Sequence, residues 1–288
     1  MNSDDRARLS LLALIEGNSR FWCGELARHG AEGLLQRILD QAYQDGKHGA
    51  DRIQAMARKI SFEQLRESLG EYHLITPLQS DWPEALNQLL APPFALIAKG
   101  NRLALNNLTR SISIVGSRNP TSYGSRVASE LASSLADRDY LVISGGALGI
   151  DSDAHRGALA ADGITVAVLG GGVSDIYPAS NGRLFDAICA EGVLLSEVLP
   201  EVHALPHRFL IRNRIIAALG LGTIVVEAAL RSGSIRTARD AGELFRPVMA
   251  IPGPITSPTS AGCHALITER KAELVTCAQE VVQLIEPL

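Results

Sequence analysis

Residues 114–159 read IVGSRNPTSYGSRVASELASSLADRDYLVISGGALGIDSDAHRGAL. Two apolar, strand-like runs each break into a turn of small residues and then into a helix-like stretch. Strand, tight turn and helix in succession make a βαβ unit. Glycine turns of this kind leave backbone N–H groups open to a negatively charged guest. Three guests fit: a dinucleotide, a nucleotide to be cleaved, or the backbone of a nucleic acid.

Outward from this pair the pattern repeats. The strand-like runs SISIVGS, YLVISGG, ITVAVLGG, GVLLSEV, GTIVVEA and PVMAIPG alternate with helix-like GSRVASELASSLAD, DSDAHRGALAAD, RLFDAICAE, RFLIRNRIIAALG and SIRTARDAGELF. Most strand runs are continuously apolar, as parallel strands covered on both faces must be. The order predicts an α/β fold, a Rossmann-like, doubly wound, mostly parallel sheet over residues 111–288. Residues 1–70 carry Leu, Ala, Arg and Glu at helical spacing and predict a small helical domain. Residues 71–110 read as a connector packing on the sheet domain, with FALIAKG a short strand. Loops are expected at 44–52 and 254–263, and AQEVVQLIE as a last short helix.

The chain of 288 residues is 46% hydrophobic, enough to bury a sizeable core. No apolar run reaches the ~18 residues of a membrane helix, and the polar start MNSDDRARLS is no signal peptide. Cys23, Cys189, Cys263 and Cys277 are scattered without paired spacing, which fits reduced thiols in the cytoplasm. A net charge of −4 excludes a protein coated in positive potential, so any polyanion site must be a local patch. Only four of the 27 basic residues are Lys. Arg is the side chain whose planar fork suits phosphate contact and base stacking.

Ligands of open α/β sheets sit beyond the carboxyl ends of the strands. Four such ends carry Gly116-Ser117-Arg118, Ser144-Gly145-Gly146, Gly170-Gly171-Gly172 and Arg231-Ser232-Gly233-Ser234. Together they predict a shared anion groove. In residues 207–219, Arg208, Arg212 and Arg214 flank Asn213 at a helix start, a clustering that calls for an anion. Arg118, Arg231 and Arg236 would come from neighbouring loops. The first turn, GSRNPTSYG, lacks the dinucleotide fingerprint, and no Gly-Lys pair precedes Ser or Thr as a P-loop requires. Asp151 reads as a helix N-cap, and Tyr177-Pro178 as a turn able to stack a base. No metal ligand set is apparent around His155 or Cys263-His264.

In order along the chain, GSR, SGGALGIDSDAHRGAL, LGGGVSDIYPASN, SE, RNRIIAAL, VVEAALRSGSIRTARDA and VMAIPG closely resemble the DNA-processing protein A (DprA/Smf) family. The match covers roughly residues 72–275. The resemblance implies a non-enzymatic, homodimeric protein that binds single-stranded DNA. It also implies loading of the RecA recombinase during natural transformation or related DNA processing. By position, the implied DNA contacts are Gly116, Ser117 and Arg118; Ser144, Gly145 and Gly146; Arg212, Asn213 and Arg214; and Ser232, Gly233 and Ser234. Neither cofactor, metal nor catalytic residue is implied. Leu148 stands where members often carry Lys or Arg, His264 at an expected Asn, and Phe245 at a common Gly. The chain is read as lacking the C-terminal winged helix of some members.

An enzyme is the competing reading. Nucleotide phosphoribohydrolases resemble this chain in their Gly-rich strand ends, but carry their acting Glu after the glycines. Here TIVVEAALRSGS puts Glu227 before them. Glu227 is therefore expected to orient the loop, through backbone or Ser hydrogen bonds or an Arg of the 208–214 cluster. A nucleotide-sensing module is a third reading.

Overall fold

A helical segment comes first. Helices α1 (Ser3–Leu14), α2 (Arg20–Leu39), α3 (Ala50–Ala57) and α4 (Phe62–Leu69) precede the sheet in this computed structural model, which describes residues 1–43 and 46–286. Of the loop expected at 44–52, residues 44 and 45 lie outside the described residues, and α3 already begins at Ala50. Asn2 and Asp5 cap α1 reciprocally: Asn2 Oδ1 accepts from Asp5 N at 2.8 Å, and Asp5 Oδ2 from Asn2 N at 3.3 Å. The Asp5 carboxylate also accepts from Thr76 Oγ1 at 2.7 Å in a buried contact. The residue that starts α1 thus pins it to the sheet.

The remainder alternates strand and helix. The elements are β1 (His73–Ile75), β2 (Leu96–Gly100), β3 (Ser111–Val115), α5 (Ser122–Ala136), β4 (Leu141–Ser144), α6 (Ile150–Ala160), β5 (Thr165–Leu169), α7 (Gly182–Glu191) and β6 (Val193–Ser196). Then come α8 (Pro206–Leu219), β7 (Thr223–Val225), α9 (Gly233–Glu243), β8 (Val248–Ala250), α10 (Ala261–Thr268), β9 (Glu273–Leu274) and α11 (Ala278–Ile285). Among the described residues, nine strands form one sheet in the order β1-β2-β6-β5-β4-β3-β7-β8-β9. Strands β3 to β9 pair in parallel, while β2 runs antiparallel to β6 and to β1. The fold is the doubly wound α/β sheet expected. FALIAKG forms β2, and the preceding YHLI, read as linker, forms β1. At three residues, β1 is too short for alternation to register in the sequence.

Strands β3 to β6 are buried along their whole length. Helices α8, α9 and α10 cover one face; α5, α6, α7 and α11 cover the other. Leu9 and Leu12 of α1 and Leu65 and Leu69 of α4 join the core over β2 and β6, so the helical segment shares apolar packing with the sheet. Ser113 on β3 keeps α8 close, donating from Oγ to Ile216 O at 2.7 Å. From β3 the chain steps outward through β4, β5 and β6, then crosses back to β7 on the other side of β3. The gap between β3 and β7 is the switch point at which such sheets bind ligands.

One expectation needs correction. The loop drawn to residue 263 ends at Ala261, where α10 begins, because Cys263 and Leu266 find apolar cover on β7 and β8. Phe245, at a position where the resemblance expects glycine, holds a left-handed φ of 56° with its ring 97% exposed. That backbone suits glycine and costs a side-chain-bearing residue roughly 1–2 kcal/mol.

His155 of α6 is fully buried. Thr165 Oγ1 donates to Val142 O at 2.7 Å, so it accepts from His155 Nδ1 at 2.7 Å. The ring is neutral, and Nε2 is buried without a partner. Burial, then Arg212 and Arg156, push the imidazole down to about 3. The unfolded chain therefore takes up a proton below pH 6.5 that the folded chain refuses. Stability from this group is complete above pH 6.5 and falls by about 1.4 kcal/mol per pH unit below it, down to the folded value. The gap in unfolding free energy between wild type and His155→Gln should narrow by about 2 kcal/mol between pH 7 and pH 5. Urea titrations across that range measure it, and a pH-independent gap would refute the buried neutral ring.

Candidate functional site

The switch point opens into a cleft of about 520 Å³. Gly116, Ser117 and Arg118 line it after β3, and Ser232, Gly233 and Ser234 after β7. Helix α8 supplies Phe209, Leu210, Arg212, Asn213 and Ile216, and Tyr177 closes the rim. The Arg118 guanidinium lies over the Phe209 ring at 5.1 Å from its centre. Phe209 in turn meets Tyr177 at 5.5 Å between centroids, with planes 51° apart. Tyr177 is 51% exposed. A cation and two rings therefore make one π-rich surface at the mouth.

The four strand ends expected to share the groove have different fates. Those after β3 and β7 face the cleft and are tied together, Ser234 Oγ donating to Gly116 O at 2.7 Å. Ser232, not Ser234, caps α9. Ser117 and Ser232 accept backbone N–H bonds from Asn119 and Ile235, which leaves each hydroxyl hydrogen to donate elsewhere. The end after β4 is already occupied. Asp151 Oδ2 accepts from Gly145 N at 3.1 Å and from Ala147 N at 3.4 Å, so the chain's own carboxylate takes the place of a bound anion. Asp151 is thus no N-cap; Gly149 holds that position. Ser144 Oγ donates to Ile114 O at 2.6 Å, and Gly146 packs against Phe185. Ser144, Gly145 and Gly146 therefore stand behind the cleft rather than lining it. The glycines after β5 are covered too: Gly170 lies under Phe209, and Gly171 and Gly172 lie under residues 199–204.

The Arg cluster likewise divides. Arg212 is buried, donating from Nη1 to Val168 O, with Nε unpartnered. Burial pushes its guanidinium down to about 10, Arg118 adding to the shift and Asp151 opposing it. Its side chain fills the space beside Gly145, where an added Cβ would lie 2.2 Å from Nη1. Asn213 Nδ2 donates to Gly233 O at 3.2 Å, joining α8 to the α9 loop. Arg214 points elsewhere. Its Nη2 meets Glu197 Oε1 at 2.5 Å, with both side chains buried. The anion that Arg214 called for is a carboxylate of the protein itself. Arg208 pairs with Glu16 at 2.9 Å and Arg236 with Asp240 at 2.7 Å.

Glu227 is 1% exposed and accepts from Thr121 N at 2.9 Å and Thr121 Oγ1 at 2.6 Å. It orients a loop, but the one leading into α5 rather than the 232–234 turn. No Arg of α8 reaches it. The carboxylate that lines the cleft is Asp151, and it is bound to the backbone amides after β4.

Sequence reasoning missed Phe209 and Leu210 as cleft residues. The signal was present: Phe209, Arg212, Asn213 and Ile216 stand at i, i+3, i+4 and i+7, one face of a helix. Only the tertiary structure tells that this face looks into the switch point.

Fold and site together define a Rossmann-like α/β protein whose cleft joins an arginine, two aromatic rings and the N-terminus of α9. Residues 73–286 match the family described as DNA recombination-mediator protein A, and the chain belongs to that family. It is 45% identical over 223 residues to a DNA processing protein DprA homologue of Mycobacterium tuberculosis, a match covering 74% of this chain and 57% of that relative. The X-ray structure of DprA from Streptococcus pneumoniae superposes with a TM-score of 0.85 at 32% identity, covering 100% of this chain and 99% of that one. A DprA structure from Helicobacter pylori, described for its single-stranded DNA binding mode, gives a TM-score of 0.66 at 29% identity over 75% of this chain and 95% of its own. Among the described residues, no helix is long and apolar enough to cross a membrane.

Two arginines should separate by stability. Arg214→Ala leaves the Glu197 carboxylate buried and unpaired, a loss of about 3–5 kcal/mol. Arg118→Ala, at the mouth of the cleft, should cost less than about 1 kcal/mol. Thermal unfolding of the two variants side by side measures the contrast.

Proposed function

We propose that this chain is a non-enzymatic, single-stranded DNA-binding protein of the cytoplasm. It protects incoming DNA and loads the RecA recombinase in natural transformation or related DNA processing. The observation that carries the reading is the Arg118–Phe209–Tyr177 surface at the mouth of the switch-point cleft. Unpaired bases expose faces that can stack on such a surface, whereas paired bases do not. The adjoining backbone passes Ser117, Ser232 and the N-terminus of α9, which supply hydrogen bonds and partial positive charge to phosphate. The single-stranded DNA binding of the Helicobacter relative supports the same assignment. Membership of a recombination-mediator family supports the RecA partnership, and the homodimer is what the resemblance implies. For the dimer, VMAIPG and residues 278–288 are the candidate segments; residues 287 and 288 lie outside the described residues.

The hydrolase reading finds less support. Glu227 is turned away to Thr121, and Asp151 is held by the amides after β4. Neither is placed as the free general base that such chemistry requires.

Gel shifts should show single-stranded oligonucleotides bound in preference to duplex. Arg118→Ala should flatten the log–log salt slope by ~0.7, the share of one phosphate on a single strand. Phe209→Ala should weaken single-strand binding by about 1–3 kcal/mol, because the ring that supports Arg118 and Tyr177 at the cleft mouth is lost. Equal affinity for both DNA forms, with neither variant affected, would sink the reading.

Incubation of the wild type with ATP, nucleoside monophosphates or single-stranded DNA should release no base, phosphate or nucleotide. Turnover that disappears in Glu227→Gln would replace the binding protein with a hydrolase.

A further inference from the structure

Helix α8 carries the aromatic and polar residues of the cleft, yet its own N-terminus is poorly provided for. It has no side-chain cap and no acidic residue in its first turn, and its second and third residues are His207 and Arg208. The Arg208 cation in the first turn opposes the helix dipole, and no acidic side chain of that turn offsets it. The missing negative charge comes from another part of the chain. Glu16, just beyond α1, accepts from His207 Nε2 at 2.6 Å and from Arg208 Nε at 2.9 Å through the same Oε1. Arg208 Nη1 then donates to His203 O at 2.7 Å, so the guanidinium bridges Glu16 to the loop entering α8. The next residue, Gly17, lies flush on Glu197, where an added Cβ would sit 2.3 Å from Oε2. Glu197 is the carboxylate that holds Arg214 of α8. Burial raises the Glu16 carboxyl, but His207 and Arg208 outweigh it and hold it below the usual carboxylate range.

Glu16 therefore grips the first turn of α8, and Gly17 packs on the Glu197 carboxylate that holds its middle. Phe209 follows Arg208 directly, and its ring is sandwiched between Gly170, Arg118 and Tyr177. We propose that Glu16 is a positioning residue for the DNA cleft: from the N-terminal helical segment it pairs with the first turn of α8 and so sets where Phe209 holds Arg118 and Tyr177 toward the strand. This inference rests on the proposed single-stranded DNA binding and deepens it.

The sign of the effect separates positioning from bulk electrostatics. Glu16 is a negative charge near a polyanion site, so its removal would tighten DNA binding if charge alone mattered. A positioning role predicts the opposite. Single-stranded DNA bearing 2-aminopurine is titrated with wild type, Glu16→Ala, Phe209→Ala and the double variant. Glu16→Ala should weaken binding roughly fivefold at an unchanged salt slope, and should add little in the Phe209→Ala background. At saturating protein the bound 2-aminopurine should be less quenched than in the wild-type complex. A merely smaller folded fraction would not alter that signal. Should Glu16→Ala fail to fold, Glu16→Gln carries the same test. Equal or tighter binding by a folded Glu16 variant, unchanged quenching, or fully additive losses would overturn the inference. Failure of the wild type to bind single-stranded DNA would instead remove the functional reading beneath it.

Discussion

The close approach of α8 to the sheet is the constraint on which the site depends. Ser113 reaches the carbonyl of Ile216, and Gly220 leaves the helix directly against Ser113. Further along, Gly145 and Gly170 leave space that Arg212 and Phe209 fill. A side chain at either glycine would collide with the helix, because interiors at this packing density cannot absorb an extra carbon without displacement. The glycines of the strand ends thus serve two purposes. After β3, Gly116 lets Ile150 of α6 close in; after β4 and β5, Gly145 and Gly170 let α8 lie deep enough to furnish the wall of the cleft.

Charge is handled mainly by internal pairing. Arg214 meets Glu197, Arg208 meets Glu16, Arg236 meets Asp240, and Asp151 occupies the amides after β4. Burial raises the carboxyls of Glu197 and Asp151 even though arginines lie near both, so these ions are held at a desolvation cost. Such buried ions fix the relative places of α8, the strand ends and the helical segment. The solvent-exposed charge lining the cleft is then Arg118, supplemented by the start of α9, while Arg212 and Asp151 are buried in its wall. This is how a chain of net charge −4 can present a local site for an anionic strand.

The helical segment is part of this economy of position. Asp5 ties α1 to the strand edge through Thr76, and Glu16 ties the end of the same helix to α8. The two carboxylates stand at opposite ends of α1. One helix therefore spans from the antiparallel edge of the sheet to the lip of the cleft, linking parts of the chain about 190 residues apart.

The alternation of apolar runs and helical stretches determined the doubly wound sheet, and glycine at the strand ends determined which end of it could hold a ligand. Both are local: period and turn chemistry act over a few residues. Membership of a family was legible as well, in the ordered motifs from GSR to VMAIPG. The sequence did not reveal which arginine faces outward. Arg212 and Arg214 are two residues apart, yet one backs the cleft and the other is spent on Glu197. Nor did it reveal that Asp151 fills the turn after β4, or that Glu227 serves Thr121. Those outcomes depend on partners 4 to 106 residues away. Only the folded chain brings such groups within a hydrogen bond, and desolvation then forces each buried charge to take the partner that tertiary packing supplies.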